Sequence, residues 1–460
     1  MSGSIRDDFG VLRYRDFRIL LADRLLAPLA YSFSAVGVSF AVLDITGSTA
    51  DLSYVLAAQM VPSVLFMLFG GVAADRFKPQ LVIVLGNLLI AVGEGTFGLL
   101  TLTHATDLPV MIGLELVTGT GMSLFWPAST ALLPKIVPND RLQAANALSR
   151  LVMNGSTMGG MAVAGLAVAA VGPGWALSVC GVGMLGTVPL LSLLRVRANE
   201  RPEQEPSVWH ELREGWQEFV KHAWVWGTVL EYLIVNACWY GGLLVLGPVV
   251  ARDHLGGAAA WGWLNATFSV GLILGGLTAL RWMPKRPMIA VTALPVTMAL
   301  ACWSVGGLWP FWSILLTWLL AGVSVELLVV CWNVALARFI RPDRLARVSA
   351  YDGLGSTLAM PVGALAAGPL AAHLGVAHAE YVAGVVTVAA IGLTLLLKDV
   401  WTMRMSDAPD WARLEADARV DATDAEGGPR SVEPEPEPEA GTEPETETGA
   451  EAEPAAVALS

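Results

Sequence analysis

Charge is what this sequence has least of. Asp, Glu, Lys and Arg make up only 15% of its 460 residues, against about a quarter in a soluble domain. The shortage argues against an ordinary soluble globule, because too few charges are available to solvate its surface. Histidine (6) and cysteine (4) are also scarce. Cys180, Cys238, Cys302 and Cys331 each fall inside an apolar run, so they read as buried free thiols with no disulfide frame and no zinc or iron–sulfur framework. No glycine-rich loop ends in Lys-Ser or Lys-Thr, which excludes an ATP site of the P-loop kind. The Gly-x-Gly pairs lie within apolar runs and the histidines are not paired at ligand spacing. The sequence therefore predicts no enzyme, no cofactor and no metal. Alternating ten-residue strands are absent too, which argues against a transmembrane barrel. The net charge of -12 is confined to one place: from Trp401 onward four Arg face sixteen acidic residues. The rest of the chain is formally neutral, so the balance describes a tail and implies no nucleic-acid partner.

What the sequence does have is long apolar runs. A bilayer core of about 30 Å needs about 20 apolar residues per helix. Twelve stretches qualify, at 17–43, 51–74, 80–102, 108–133, 147–171, 175–194, 224–251, 259–282, 287–306, 310–336, 347–372 and 378–398. Turn chemistry separates them, as at Phe77-Lys78-Pro79, Gly172-Pro173-Gly174 and Arg341-Pro342-Asp343. The first run is too long for the core of a cleavable leader and is expected to insert as its own signal. With both termini cytoplasmic, 26 of the 28 basic residues fall on one face, Arg24 lies within the first span and only Arg252 falls opposite. That asymmetry sets the predicted orientation.

The expected organisation is a cytoplasmic N-terminus (1–16), a six-helix bundle (17–194), a cytoplasmic linker (195–223), a second six-helix bundle (224–400) and an acidic tail (401–460). In the linker, Trp209, Leu212, Trp216 and Phe219 stand at helical spacing among charged residues, the pattern of an amphipathic helix lying on a membrane face. The Glu-Pro run of the tail cannot build a core, so 421–460 is expected to be disordered.

The two halves echo each other. Gly70-Gly71-Val72-Ala73-Ala74-Asp75-Arg76-Phe77 matches Gly275-Gly276-Leu277-Thr278-Ala279-Leu280-Arg281-Trp282 at an offset of 205, and Pro138-Asn139-Asp140-Arg141-Leu142 matches Arg341-Pro342-Asp343-Arg344-Leu345 at 203. Repeats of six helices predict two bundles related by an axis along the membrane normal, with substrate near mid-membrane between them.

Gly71-x-x-x-Asp75-Arg76, between spans two and three, resembles the signature loop of the major facilitator superfamily. The stretch Pro134 to Leu148, Trp332-Asn333 and Arg347-Val348-Ser349-Ala350-Tyr351-Asp352 resemble its enterobactin-exporter and macrolide-efflux branch. The pattern departs at Lys78-Pro79-Gln80, at Glu115 where drug–proton antiporters often carry Arg, and at Gly160-Met161 where their motif has Gly-Pro. The resemblance implies an all-α integral membrane protein of the major facilitator fold, with twelve transmembrane helices in two pseudo-repeated bundles. It implies a multi-pass cell-membrane transporter, an antiporter driving proton-coupled efflux of small organic molecules (drug, siderophore or secondary metabolite) by alternating access. The alternatives are a transporter that takes up a metabolite or passes it by facilitated diffusion, and a non-transporting membrane scaffold or receptor with the same fold. The expected partners are a small-molecule substrate, protons and the lipid bilayer, and the chain would act as a monomer.

An ionisable group inside a bilayer is a functional candidate by default. The resemblance places spans one, four, seven and ten around the central cavity, and Asp23 (with Arg24), Glu115, Glu231 and Glu326 put one acid on each. Asp23, Arg24 and Glu231 lie near the inner edge, where snorkelling or pairing is the competing reading. Glu94 falls on span three, which the resemblance puts at the periphery. Trp239 and Trp332 are candidate cavity aromatics, with plain packing the alternative. Gly71, Asp75 and Arg76 would form the gating loop.

Overall fold

The computed structural model describes residues 9–66, 77–138, 141–194, 208–407 and 409. Among these, every regular element is a helix. Eleven helices are long and apolar enough to cross a membrane. A twelfth, Thr49–Leu65, runs up to the edge of the described residues. We number them α1 (Arg15–Thr46), α2 (Thr49–Leu65), α3 (Pro79–Leu102), α4 (Leu108–Ile136), α5 (Leu142–Val171), α6 (Pro173–Ser192), α7 (Ala223–Leu255), α8 (Ala258–Ala279), α9 (Pro287–Gly306), α10 (Phe311–Phe339), α11 (Arg347–Leu374) and α12 (Val376–Thr394). The expected gating loop (Gly71, Asp75, Arg76), the linker residues 195–207 and the tail from 410 on lie outside the described residues.

The helix ends follow local chemistry. Ser48 caps α2 by accepting from the Asp51 amide at 3.2 Å, and Asp107 caps α4 by accepting from Val110 at 3.1 Å, which satisfies amides that have no intrahelical partner. Glycines at positive φ separate α5 from α6 (Gly172, φ 89°) and α11 from α12 (Gly375, φ 82°), so the two halves use the same break at the same place. Proline shapes the interiors. Pro295 divides α9 into Pro287–Ala293 and Val296–Gly306. In α7, Gly241, Gly242 and Pro248 accompany two wider π-helical stretches, Tyr240–Leu246 and Ala251–Leu255. A proline withholds one amide and crowds the carbonyl four residues back, and a π turn accommodates that defect without breaking the helix.

Six helices form each bundle. In the first, α3 packs on α4 and α6, α1 on α5 and α6, and α2 on α4. The second repeats the scheme: α9 packs on α10 and α12, α7 on α11 and α12, and α8 on α10. The bundles meet along α5/α8 and α2/α11. Odd-numbered helices run from the end carrying the described termini, here the terminal end, toward the opposite or far end.

Inter-bundle contact is closest in the far half. A Cβ on Gly165 of α5 would stand 2.7 Å from both Ala258 O and Gly262 Cα of α8, and one on Gly368 of α11 would stand 2.6 Å from Ala50 Cα of α2. Only hydrogen at these positions lets the backbones approach, the small-residue packing typical of membrane helices. Arg252 on α7 adds a bond to Leu43 O of α1 at 2.8 Å. Nearer the terminal end, Gly155 and Gly159 of α5 face open space.

A further helix, Val208–Lys221, precedes α7. Phe219 is buried and stacks on Trp216 at 5.8 Å, and both rings contact Tyr351 of α11. Glu218 pairs with Lys221 at 3.1 Å, with His222 at 3.5 Å and with Arg344.

Candidate functional site

The first bundle buries two carboxyl groups side by side. Glu94 of α3 and Glu115 of α4 are both fully buried. The Ser34 hydroxyl of α1 donates to Glu94 Oε1 at 2.6 Å. Gln59 of α2 donates through Nε2 to Glu115 Oε2 at 2.6 Å, and its Oε1 accepts from the Tyr31 hydroxyl at 3.2 Å. Thr118 stands beside Glu94, and the two carboxyls are close enough to act on each other. Four helices thus converge on one polar cluster. Tyr31 and Gln59 are half-buried, and Tyr31 lies near Tyr240 of α7. The cluster therefore reaches from a buried acid pair to the surface shared by the bundles.

The chemistry of the cluster is set by what it lacks. Among the described residues no Lys, Arg or His pairs with either acid. Stripping a carboxylate of water without a countercharge costs several kcal/mol, and two adjacent carboxylates also repel. One oxygen on each acid, Glu94 Oε2 and Glu115 Oε1, has no hydrogen-bond partner among the described residues.

The other sequence candidates are dispersed. Asp23 and Arg24 on α1 are both buried, so they do not snorkel. Arg24 donates to Ser129 O of α4 at 2.9 Å and approaches Met153 Sδ of α5 at 3.3 Å, while Asp23 Oδ1 has no partner among the described residues. Glu326 on α10 is half-buried and feels the charge of Arg150 on α5, across the bundle interface. Glu231 does not share that interface. It is buried inside the second bundle, flanked by Thr292 of α9 and Thr394 of α12, because its position on α7 faces away from the first bundle. Trp239 belongs to an aromatic group with Phe268 (5.3 Å) and Trp318 (6.1 Å). Trp332 packs edge-on against Trp224 and donates to Asp352 of α11 at 2.8 Å, so its indole N–H is already committed.

Tyr31, Ser34 and Thr118 escape sequence reasoning, because they carry no charge and look like ordinary span residues. So does Glu380, which stands four residues after the start of α12 and is fully buried. A carboxylate near the end of a span looks like an interfacial residue in sequence; its burial comes from the packing of α12 on α9.

Comparison with known proteins agrees with this architecture. The family model described as Major Facilitator Superfamily matches residues 24–308. Macrolide efflux protein A of Streptococcus pyogenes is 23% identical over 378 residues, covering 79% of this chain and 91% of that protein. Enterobactin exporter EntS of Escherichia coli O1:K1 / APEC is 27% identical over 308 residues, covering 64% and 70%. Among solved structures, the nucleoside transporter NupG superposes with a TM-score of 0.68 at 10% identity, covering 85% of this chain and 100% of that one. The inward-open xylose transporter XylE from E. coli gives 0.62 at 12% identity, covering 86% and 99%. With twelve helices in two repeated bundles and a family match over more than half its length, the chain belongs to the Major Facilitator Superfamily.

Proposed function

We propose that this transporter exports small organic molecules in exchange for protons, by alternating access of a site between the bundles. The observation that carries the proposal is the pair Glu94/Glu115, with no cation beside it among the described residues, joined through Gln59 and Tyr31 to the bundle interface. A molecule bound against Tyr31 and Gln59 perturbs the hydrogen bond that Glu115 receives. Protonation of the pair and occupancy of the cavity are then coupled, since each changes the free energy of the other. Glu326 and Arg150 supply opposite charges on the two walls of the interface. Arg24, with Asp23 beside it, ties α1 to α4 and α5. Trp239 offers an aromatic face to a flat or cationic substrate.

The charge asymmetry of the loops favours cytoplasmic termini. The far end is then extracellular, and the tight α5/α8 and α2/α11 seams close the outside in this conformation. Gly71, Asp75 and Arg76 would latch the inside when the bundles rock. The export direction and a macrolide-like or siderophore-like substrate class rest on the two named relatives.

The test is uptake by inverted membrane vesicles energised with a proton gradient, over a panel of cationic dyes and common antibiotics. Wild type is compared with Glu115→Gln and Glu326→Gln, with and without an uncoupler. Gradient-dependent accumulation abolished in Glu115→Gln is expected. Accumulation that survives both the substitution and the uncoupler would overturn proton coupling at this pair.

A further inference from the structure

The second bundle contains a polar seam that the transport reading does not use. On α12, Glu380, Thr387 and Thr394 recur every seven residues, and all three are buried. Seven residues is two helical turns, so they form one stripe on the face toward α7. Each stands opposite a matching place on that helix. Glu231 lies beside Thr394, Cys238 lies beside Thr387, and a Cβ on Gly242 would stand 3.0 Å from Glu380 Oε2. Glu231 is near the terminal end of the seam and Glu380 near the far end. Among the described residues, no close hydrogen bond reaches the four carboxyl oxygens of Glu231 and Glu380; Thr292 and Thr394 stand at the edge of reach of Glu231, and the Cys302 thiol at that of Glu380.

Among the described residues, the surroundings of both acids lack cations. Facing Glu380 is the thiol of Cys302 on α9, which in turn lies near Cys238 of α7. Near Glu231 are Tyr232, whose hydroxyl donates to Val291 O, and through it Cys331 of α10 and Asp352 of α11. No described ion pair includes either acid.

A cleft comes close to one end of the seam. It has about 70 Å³ of free space and lies at the far end between α7, α9 and α12, with Asp253 and His254 at its rim and Gly306 and Ala377 on its walls. A buried water needs about 10–15 Å³ by this measure, so the cleft admits several. Gly306 is common to the cleft and the acid: a Cβ there would stand 2.8 Å from Glu380 Cβ. Ala377 lies one turn before Glu380 on the same helix. Gly242, opposite Glu380, lies in the π-helical stretch of α7, an irregularity that recurs at functional sites.

The internal repeat marks the same place independently. Glu94 stands fifteen residues after Pro79 at the start of α3, and Cys302 stands fifteen after Pro287 at the start of α9. Glu94 of the first bundle has a thiol neighbour, Cys180 of α6. In the second bundle the thiol is on α9 and the acid on α12. Related spaces in the two halves thus both bring acid and thiol together, Glu94 and Glu115 with Cys180 in the first and Glu380 with Cys302 in the second, with the acid and the thiol on exchanged helices.

We propose that the α7/α12 seam is a proton route of the second bundle, with Glu380 the station open to the far end and Glu231 the station toward the terminal end. One proton enters from cleft water and converts the Glu380 carboxylate to the acid. Passing it on along Cys238, Thr387 and intervening water restores that carboxylate and protonates Glu231, so a single proton moves and no bond other than O–H and S–H changes. The route rests on the proton-coupled reading but includes neither Glu94 nor Glu115.

Infrared difference spectroscopy of the full chain in lipid, titrated with pH, tests it without knowledge of the substrate. The expected spectrum has protonated-carboxyl C=O bands that titrate. One is lost in Glu380→Gln, a second in Glu231→Gln, and both remain in the Glu94→Gln/Glu115→Gln double variant. Ala377→Trp, which fills the cleft from an exposed position, should slow the Glu380 band after a pH jump at least tenfold and leave its amplitude intact. A Glu380 band that does not titrate, or one that responds at the same rate with the cleft filled, would overturn the route. Loss of titrating bands in the first bundle alone would instead defeat the proposed coupling at Glu94/Glu115 and leave the seam standing.

Discussion

Gln59 shows how one neutral side chain decides the state of a buried acid. Its amide donates to Glu115 and its carbonyl accepts from Tyr31. Replacing it with Leu strands a buried carboxyl oxygen, at a cost of about 1–3 kcal/mol. Gln59→Leu should therefore lower the thermal unfolding midpoint in detergent, and Gln59→Leu/Glu115→Leu should recover part of the loss because no carboxyl is left stranded, the half-buried Tyr31 hydroxyl being the one group still without its acceptor. An unchanged midpoint in the single variant would deny the bond. Glu115 and Gln59 are each legible in sequence as polar residues in an apolar run. Their pairing is not, because they lie 56 residues apart and the rotation of each helix about its axis is fixed only by packing. Glu231 carries the same lesson: its span and depth can be read, its facing cannot. Glu380 is hidden by its place near the end of a span.

At the scale of elements, the helix Val208–Lys221 is held to α11 by Phe219 and Trp216, with Glu218 paired to Arg344 in the first turn of the helix Pro342–Thr357 that opens this span. Burial raises the affinity of the Glu218 carboxyl for protons, but bonds and charges from Lys221 and Arg344 outweigh it and hold the group below the usual carboxylate range. A depressed value in the docked state contributes stability above the undocked value, near pH 4.3, and that contribution is lost as pH falls through the docked value. Because Lys221 and Arg344 are partly exposed, the contribution is about 1 kcal/mol. Protection factors of the 208–221 amides, taken relative to the intrinsic exchange rate at each pH, should fall on acidification through this window, and in Glu218→Gln they should be low already at neutral pH. Protection independent of both would show that the aromatic contacts alone hold the helix. A second element-scale expectation concerns α5/α8. Gly165→Leu drives a side chain into Ala258 and Gly262 backbone, so it should lower stability by several kcal/mol, or open the far end; thermal unfolding and far-end cysteine accessibility that both match wild type would refute the seam. The twelve helices are readable from run length. The widening of α7 is not, since Pro248 announces a defect but not whether the helix kinks or adopts a π turn.

For the whole molecule, the conformation is decided by thin contacts between two bundles that each bury their own core. Arg252 bonds the Leu43 carbonyl and lies near Asp44. Removing a charged hydrogen bond at a partly exposed site costs about 1 kcal/mol, roughly fivefold in the ratio of states. Arg252→Ala should shift spin-label distances across the far end toward an open population, with the terminal end closing in parallel. An unaltered distribution would show that the glycine seams alone hold the far end. Composition, run length, loop charge and the half-repeat determined that this chain is a twelve-helix membrane protein with two bundles, because water and lipid act on each segment independently of its neighbours. Which acids meet, which face the interface and which end is shut depended on helix rotation and inter-helix distance. Only the packing of all twelve helices against one another sets these.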